Sequence, residues 1–96
     1  MAAPAPTTTA FAVWGPIRRD DLPGLTDRVC ALLRSSGAKT AFCDVQRVPA
    51  DAVAVEALAR LQLGARRTGC KVRLRNASRE MLDLVAFMGL EDVLPE

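Results

Sequence analysis

The stretch Val45–Leu63, VQRVPADAVAVEALARLQL, places a charged residue at the start of a predicted helix. A helix N-terminus offers unpaired N–H donors and a partial positive charge, so it suits a negatively charged group on the first helical residue. Here that residue is Ala52, which has no functional group. Asp51 before it is interpreted as an N-cap, whose carboxylate accepts from the N–H of Val53 or Ala54, or alternatively as part of a partner-binding surface.

Three cations alternate along a later predicted strand, at Lys71, Arg73 and Arg75. A spacing of two puts them on one face of the strand, which favours a solvated surface. The alternative is an anion or nucleotide site. However, no glycine-rich phosphate loop accompanies them.

Catalytic and metal-binding chemistry have little support. The chain has no His, no obvious nucleophile and no C-x-x-C spacing, so we expect neither an enzyme nor a metal or other cofactor. The cysteines are odd in number and lie among apolar neighbours, which disfavours a disulfide framework. The candidate acid/base residues are Asp20, Asp21, Asp27 and Asp44. The candidate thiols are Cys30, Cys43 and Cys70.

Composition indicates one small globular domain. The 96 residues are 50% hydrophobic and 25% charged with a net charge of +2. The cations are scattered and aromatics are few, so nucleic-acid binding is not expected. No apolar run approaches a membrane span, and we expect a cytoplasmic protein without direct membrane insertion. Residues 1–9 are predicted to be a disordered tail, and residues 10–96 the domain.

Hydrophobic spacing predicts alternating strands and helices. The predicted strands are Phe11–Ile17, Lys39–Val45 and a third beginning at Gly69. The predicted helices follow them, over residues 20–36 and 51–68 and in the closing segment 78–94. Ser78 is the predicted N-cap of the last helix, and Gly37 and Gly89 are predicted helix ends. Strands joined by helical crossovers pair mostly in parallel, so the fold class is α/β.

The run FCDVQRVPADAVAVEALARLQLGARRTGCKVRLRNASREMLDLVAFMGLEDVL resembles the STAS domain, named for sulfate transporters and anti-sigma factor antagonists. The markers are a strand ending in Asp44, a loop into a helix, Gly69 before a V-x-L strand (Val72, Leu74) and a last helix ending in MGLEDVL. The resemblance covers about residues 10–94. It implies a small, mostly parallel mixed sheet of about four strands, the first running against the others, in a bacterial protein that acts by binding partners.

In the STAS family the turn before the second helix commonly reads Asp-Ser-x-Gly, and the serine accepts a phosphate in partner switching. This chain reads Asp51-Ala52-Val53-Ala54. The aspartate matches, whereas both alanines depart. The resemblance therefore implies a degenerate phosphorylation site, because Ala52 cannot accept a phosphoryl group.

Projection of the second helix at 100° per residue separates two faces. The face predicted to pack on the sheet holds Ala54, Ala57, Leu58, Leu61 and Ala65. The other is a low apolar ridge of Ala52, Val55, Ala59 and Leu63, bordered by Glu56 and Arg60. The ridge is interpreted either as intramolecular packing or as a partner-binding surface, and the resemblance favours the second.

The sequence leaves three functions open. The favoured one is an anti-sigma factor antagonist-like regulator of transcription, bound to a kinase-like anti-sigma factor through Asp51, Ala52, Val55, Glu56, Ala59 and Leu63. The alternatives are an accessory subunit of an ABC-type lipid transport complex and a homodimeric module whose ridge pairs with itself.

Overall fold

The computed structural model describes residues 7–96. In chain order the elements are β1 (Thr8–Trp14), a short 3-10 helix (Arg19–Asp21), α1 (Leu22–Ser36), β2 (Thr40–Arg47), α2 (Ala52–Arg67), β3 (Lys71–Arg75) and α3 (Arg79–Phe87). Most of the predicted tail lies outside the described residues. Its last two residues, Thr8 and Thr9, belong to β1, so the described domain begins before the predicted boundary at residue 10.

The sheet has the order β1-β2-β3 within residues 7–96, and both pairs are parallel. Thr8 lies opposite Thr40, and Thr40 lies opposite Lys71. The expectation of a first strand running against the others is therefore wrong for the described residues, and the sheet has three strands there where about four were expected. A helix separates each pair of strands, and such a crossover returns the chain in its original direction.

Strand β1 begins and ends earlier than predicted. The strand stops at Trp14 because Gly15 turns the chain against the loop that follows β2. A Cβ on Gly15 would lie 2.6 Å from the Cδ of Pro49, so only glycine allows this approach. Ile17 is buried beyond the strand and still contributes to the core.

The helices cover one face of the sheet. Successive right-handed crossovers in one direction put α1 and α2 on the same side, and α3 packs beside α2. The covered face holds alternate residues of the strands, Val13, Ala41, Cys43, Val45, Val72 and Leu74, all of them buried. The opposite face carries exposed or half-buried side chains on every strand.

The predicted helix ends agree with the structure. Gly37 has φ 64° and its N–H donates to the carbonyl of Leu33 at 3.2 Å. Gly89 also has a positive φ, of 73°. The Ser78 hydroxyl accepts from the N–H of Met81 at 3.0 Å, which confirms it as the N-cap of α3.

A buried glutamine, which the sequence pattern did not predict, joins α2 to β3 and to the C-terminal segment that follows α3 (residues 88–96). Gln62 is fully buried. Its Oε1 accepts from the N–H of Val72 at 2.8 Å, and its Nε2 donates to the carbonyls of Val72 and Val93 at 2.8 and 2.7 Å. Both N–H groups of Nε2 and the oxygen Oε1 have hydrogen-bond partners. The buried amide therefore leaves no polar atom unsatisfied.

Candidate functional site

The start of α2 is built as the sequence pattern indicates. Asp51 has extended backbone angles, and its Oδ1 accepts from the N–H of Ala54 at 2.7 Å. Its carbonyl accepts from the N–H of Val55 at 3.1 Å. This confirms the N-cap interpretation of Asp51. Ala52 is the first residue of the helix and is exposed.

The outer face of α2 contains only part of the predicted ridge. Leu63 is 58% exposed, Ala52 is exposed and Ala59 is half-buried. Val55, in contrast, is 0% exposed and belongs to the core cluster. Its assignment to a partner-binding surface is therefore wrong. Val55 lies next to Gln62 around the helix, on the side that packs against α3 and the C-terminal segment, so these elements cover it.

Glu56 anchors the other side of this face through ion pairs. Its carboxylate oxygens lie 2.6 Å from Nη1 of Arg19 and 3.0 Å from Nη2 of Arg60. Arg60 is one helical turn away, while Arg19 comes from the segment before α1. Glu56 therefore ties α2 to the entry of α1, and both arginine side chains remain more than half exposed.

A shallow groove lies between α1 and α2. It has a volume of about 290 Å³ and is lined by Leu22, Pro23, Thr26, Asp27, Arg60, Leu63, Gly64 and Arg67. The helices approach closely here, and the absence of a side chain at Gly64 allows it. A Cβ on Gly64 would lie 2.5 Å from the Sγ of Cys30. The groove thus has an apolar floor around Leu63, two arginines along α2 and one carboxylate on α1.

A second, wider groove lies between the loop before α2 and α3. It has a volume of about 550 Å³ and is lined by Ala50, Glu80, Asp83, Leu84 and Phe87. Phe87 is 88% exposed, and sequence reasoning did not select it. A signal was present: at 100° per residue Phe87 falls away from the buried Met81 and Val85, so an aromatic ring was to be expected on the outer side of α3.

The basic strand face is exposed, as predicted. Lys71, Arg73 and Arg75 are all exposed, and the Arg75 guanidinium lies 4.2 Å from the ring centroid of Phe42. Arg73 donates to the carbonyl of Glu96, with Nε at 2.8 Å. Two of the three cations are thus held by contacts within the chain. This supports the solvated-surface interpretation.

The groups considered for catalysis have structural roles or lie apart. The two carboxylate oxygens of Asp44 accept from the N–H of Gln46 at 2.9 Å, within β2, and from Nδ2 of Asn76 at 3.1 Å, just after β3, so Asp44 links the ends of these two strands. Burial, and secondarily the Asp44 carboxylate, raises the pKa of the Cys43 thiol to about 12. A thiol with such a pKa is a poor nucleophile at neutral pH. Within residues 7–96, no three His, Cys, Asp or Glu side chains are grouped as metal ligands would be.

Comparison with known proteins identifies the fold. No protein-family model matches the sequence, and no curated protein matches it significantly. A solved structure does match: the crystal structure of a sulfate transporter family protein from Wolinella succinogenes, with a TM-score of 0.67 and 22% sequence identity. The match covers 98% of this chain and 75% of that chain. The fold is STAS-like.

The STAS-like fold confirms the expected fold class, with fewer strands than expected in the described residues. In the structure, Ala52 and Leu63 lie on the same face of α2. Leu63 lines the shallow groove, and Ala50, just before the Asp51–Ala52 turn, lines the wider one. None of the helices in residues 7–96 is long and apolar enough to cross a membrane.

Proposed function

We propose that this chain is a non-catalytic protein-binding module, similar in role to anti-sigma factor antagonists, that docks a kinase-like anti-sigma factor through the outer face of α2. The docking surface consists of Asp51, Ala52, Glu56, Ala59 and Leu63. The observation that carries the proposal is Leu63. It is 58% exposed in an apolar groove, on the same helix as the exposed Ala52.

The surface has the character of a docking site. A partner that covers Leu63 would remove apolar area from water at about 25 cal/mol per Å² before the costs of association. The small side chains of Ala52 and Ala59 allow another helix or loop to come close to the α2 backbone. Arg60 and Arg67 border the groove and can select an acidic partner.

The degenerate turn makes this docking surface permanent in the proposal. A phosphate at the first helical position would add about two negative charges beside Asp51 and change the surface. Ala52 has only a methyl group there. By analogy with STAS relatives, whose unmodified form binds the partner, the chain is competent to bind at all times.

Substitution of Leu63 tests the docking surface. The purified chain is titrated with kinase-like ATPase domains encoded in the same genome, and binding is measured by calorimetry. Leu63→Asp is expected to weaken binding by about 100-fold, because it places a charge at the apolar centre of the interface. Leu32→Asp is the matched control, since Leu32 is 45% exposed on α1 and does not line the groove. Equal binding by both variants would contradict the proposal.

Substitution of Ala52 tests the degenerate site separately. Incubation of the wild-type chain with a cognate kinase and ATP should add no phosphate at residue 52 or its neighbours, as read by mass spectrometry. Ala52→Ser should become a substrate and, once modified, should lose the partner. Phosphate found near residue 52 of the wild type would be inconsistent with a permanent docking surface.

A second candidate role is an accessory subunit of an ABC-type lipid transport complex. The structural match to a protein named for a sulfate transporter family supports a role beside a transporter, and the lipid-transport ATPase is the form of that role proposed here. In this case the same α2 surface would dock on a transport ATPase, and the chain would co-purify with membranes that contain that ATPase. Absence from such membranes, together with a complex formed by an anti-sigma factor, would favour the first role.

A further inference from the structure

The two edge strands of the sheet differ in whether their outward backbone groups have hydrogen-bond partners. At the β3 edge, Gln62 bonds both the N–H and the carbonyl of Val72, as described above. The next outward N–H, that of Leu74, donates to the carbonyl of Pro95 at 2.7 Å. The protein's own α2 and C-terminal segment therefore occupy this edge, and no further strand can pair with it.

At the other edge, β1 offers its backbone to a partner. The carbonyl of Thr7 accepts from the N–H groups of Lys39 and Thr40 at 2.9 and 3.1 Å, and the N–H of Gly15 donates to Arg47 at 3.1 Å, so odd-numbered residues face β2. Backbone groups alternate in direction along a strand. The N–H and carbonyl groups of the even-numbered residues therefore point outward, and in the described part of the chain no strand pairs with them. These residues are Thr8, Ala10, Ala12 and Trp14.

Nothing in the sequence of β1 protects this edge. Natural edge strands avoid pairing through charges, prolines, bulges or a covering segment. Residues 7–14, TTTAFAVW, contain no charge and no proline. The irregularity in the β1–β2 pairing puts the extra residue on β2, since Ala12 lies opposite Asp44 and Trp14 opposite Arg47. The outward ladder of β1 is thus regular and its own residues carry no charge, while the Arg47 guanidinium of β2 lies 4.6 Å from the ring centroid of Trp14 at its end.

We propose that β1 pairs antiparallel with β1 of a second copy of this chain, about a two-fold axis, to form a continuous six-stranded sheet. In the register with the longest overlap, Ala10 lies opposite Ala12 of the other copy and Thr8 lies opposite Trp14. When two identical strands pair, any charge on the strand can come close to the same charge on the other copy, which is destabilising. Strand β1 carries no charge. Trp14, which is 65% exposed in the single chain, then covers Thr8 at each end of the pair.

The closed β3 edge limits the assembly to two copies. An isologous contact uses the same surface on both subunits, so the dimer has only two β3 edges left. Both are occupied by Gln62 and Pro95, and the sheet cannot grow into a fibre. This surface is separate from the α2 groove and does not depend on the proposed function.

The test is the mass of the full chain in solution. Sedimentation equilibrium over a wide concentration range should show a reversible dimer of the 10.3 kDa chain. Ala12→Pro removes an outward N–H while leaving the β1–β2 pairing intact, and it should weaken dimerisation at least 10-fold. Ala12→Ser keeps that N–H and is the matched control, which should dimerise as the wild type does. Leu63→Asp should also remain dimeric, which separates this surface from the ridge of α2.

A wild-type chain that stays monomeric throughout the range would overturn the proposal. A folded Ala12→Pro variant that dimerises like the wild type would do the same. If circular dichroism shows that Ala12→Pro is unfolded, the Ala10→Lys variant tests the dimer instead. This substitution places a cation on the outward ladder without changing the backbone, and it should reduce dimerisation in a salt-dependent manner. An unchanged dimer in that variant would again overturn the proposal.

Discussion

At the scale of single residues, the buried thiol of Cys43 is expected to lower the free energy of unfolding at alkaline pH. Its thiol titrates near 9.0 when exposed, and in the folded protein burial raises its pKa to about 12. Below pH 9 both states hold the proton, so the full contribution to stability is present. Above pH 9 the unfolded chain loses the proton first, and the free energy of unfolding falls by up to about 1.4 kcal/mol per pH unit as the pH rises towards 12.

Urea unfolding between pH 8 and pH 10.5 measures this slope. Cys43→Ala removes the thiol and should show a shallower loss of stability with pH than the wild type. Val45→Ala is the control, because it leaves a cavity at the next inward position of β2 and retains the Cys43 thiol. Parallel pH profiles for the wild type and Cys43→Ala would show that this thiol does not control the alkaline limb.

The N-cap at Asp51 was predictable from the sequence because its signal is local. An aspartate just before an apolar periodic run can accept a hydrogen bond from the N–H groups of the first helical turn. This interaction needs no distant residue. The ion pair between Arg19 and Glu56 was not predictable, since the two residues are 37 positions apart and meet only when α1 packs beside α2.

At the scale of elements, α2 shows why a helical projection assigns some faces correctly and others wrongly. The buried residues span roughly 160° of the helix at 100° per residue, from Ala57 at one side to Val55 at the other. A single sheet covers a narrower stripe. The pattern therefore identified the centre of the buried face, whereas Val55 and Gln62 lie where α3 and the C-terminal segment extend the cover.

Gln62 is expected to hold α2, β3 and the C-terminal segment together. Gln62→Leu keeps the volume of the side chain but leaves the N–H of Val72 and two carbonyls without partners, which should cost about 3 kcal/mol of stability. Hydrogen exchange at the Val72 amide should accelerate more than at the centre of β2. Gln46→Leu, at the exposed end of β2, is the control and should change stability by less than about 0.5 kcal/mol. A Gln62→Leu variant as stable as the wild type would exclude this role.

At the scale of the whole molecule, the topology follows from the order of elements. The alternation of strands and helices predicts parallel pairing from crossover geometry alone, and the structure has it at both β1–β2 and β2–β3. The antiparallel first strand was expected only from resemblance to STAS relatives. Within residues 7–96 the sheet has three strands and β1 lies at an edge, a position that no local pattern in TTTAFAVW could reveal.

The closure of the β3 edge gives the last prediction. A variant that ends at Leu94 keeps this buried core residue but loses the Pro95 carbonyl that accepts from Leu74 and the Glu96 carbonyl that accepts from Arg73. The Leu74 amide should then exchange faster, while Val72 stays protected by Gln62. Because a β1-paired dimer would now have an open strand end on each side, light scattering should detect slow growth of larger assemblies at high concentration. The 96-residue double variant Pro95→Ala, Glu96→Ala keeps both main-chain oxygens and should behave as the wild type. Unchanged exchange at Leu74 in the shortened chain would mean that the edge is protected by something other than the C-terminal segment.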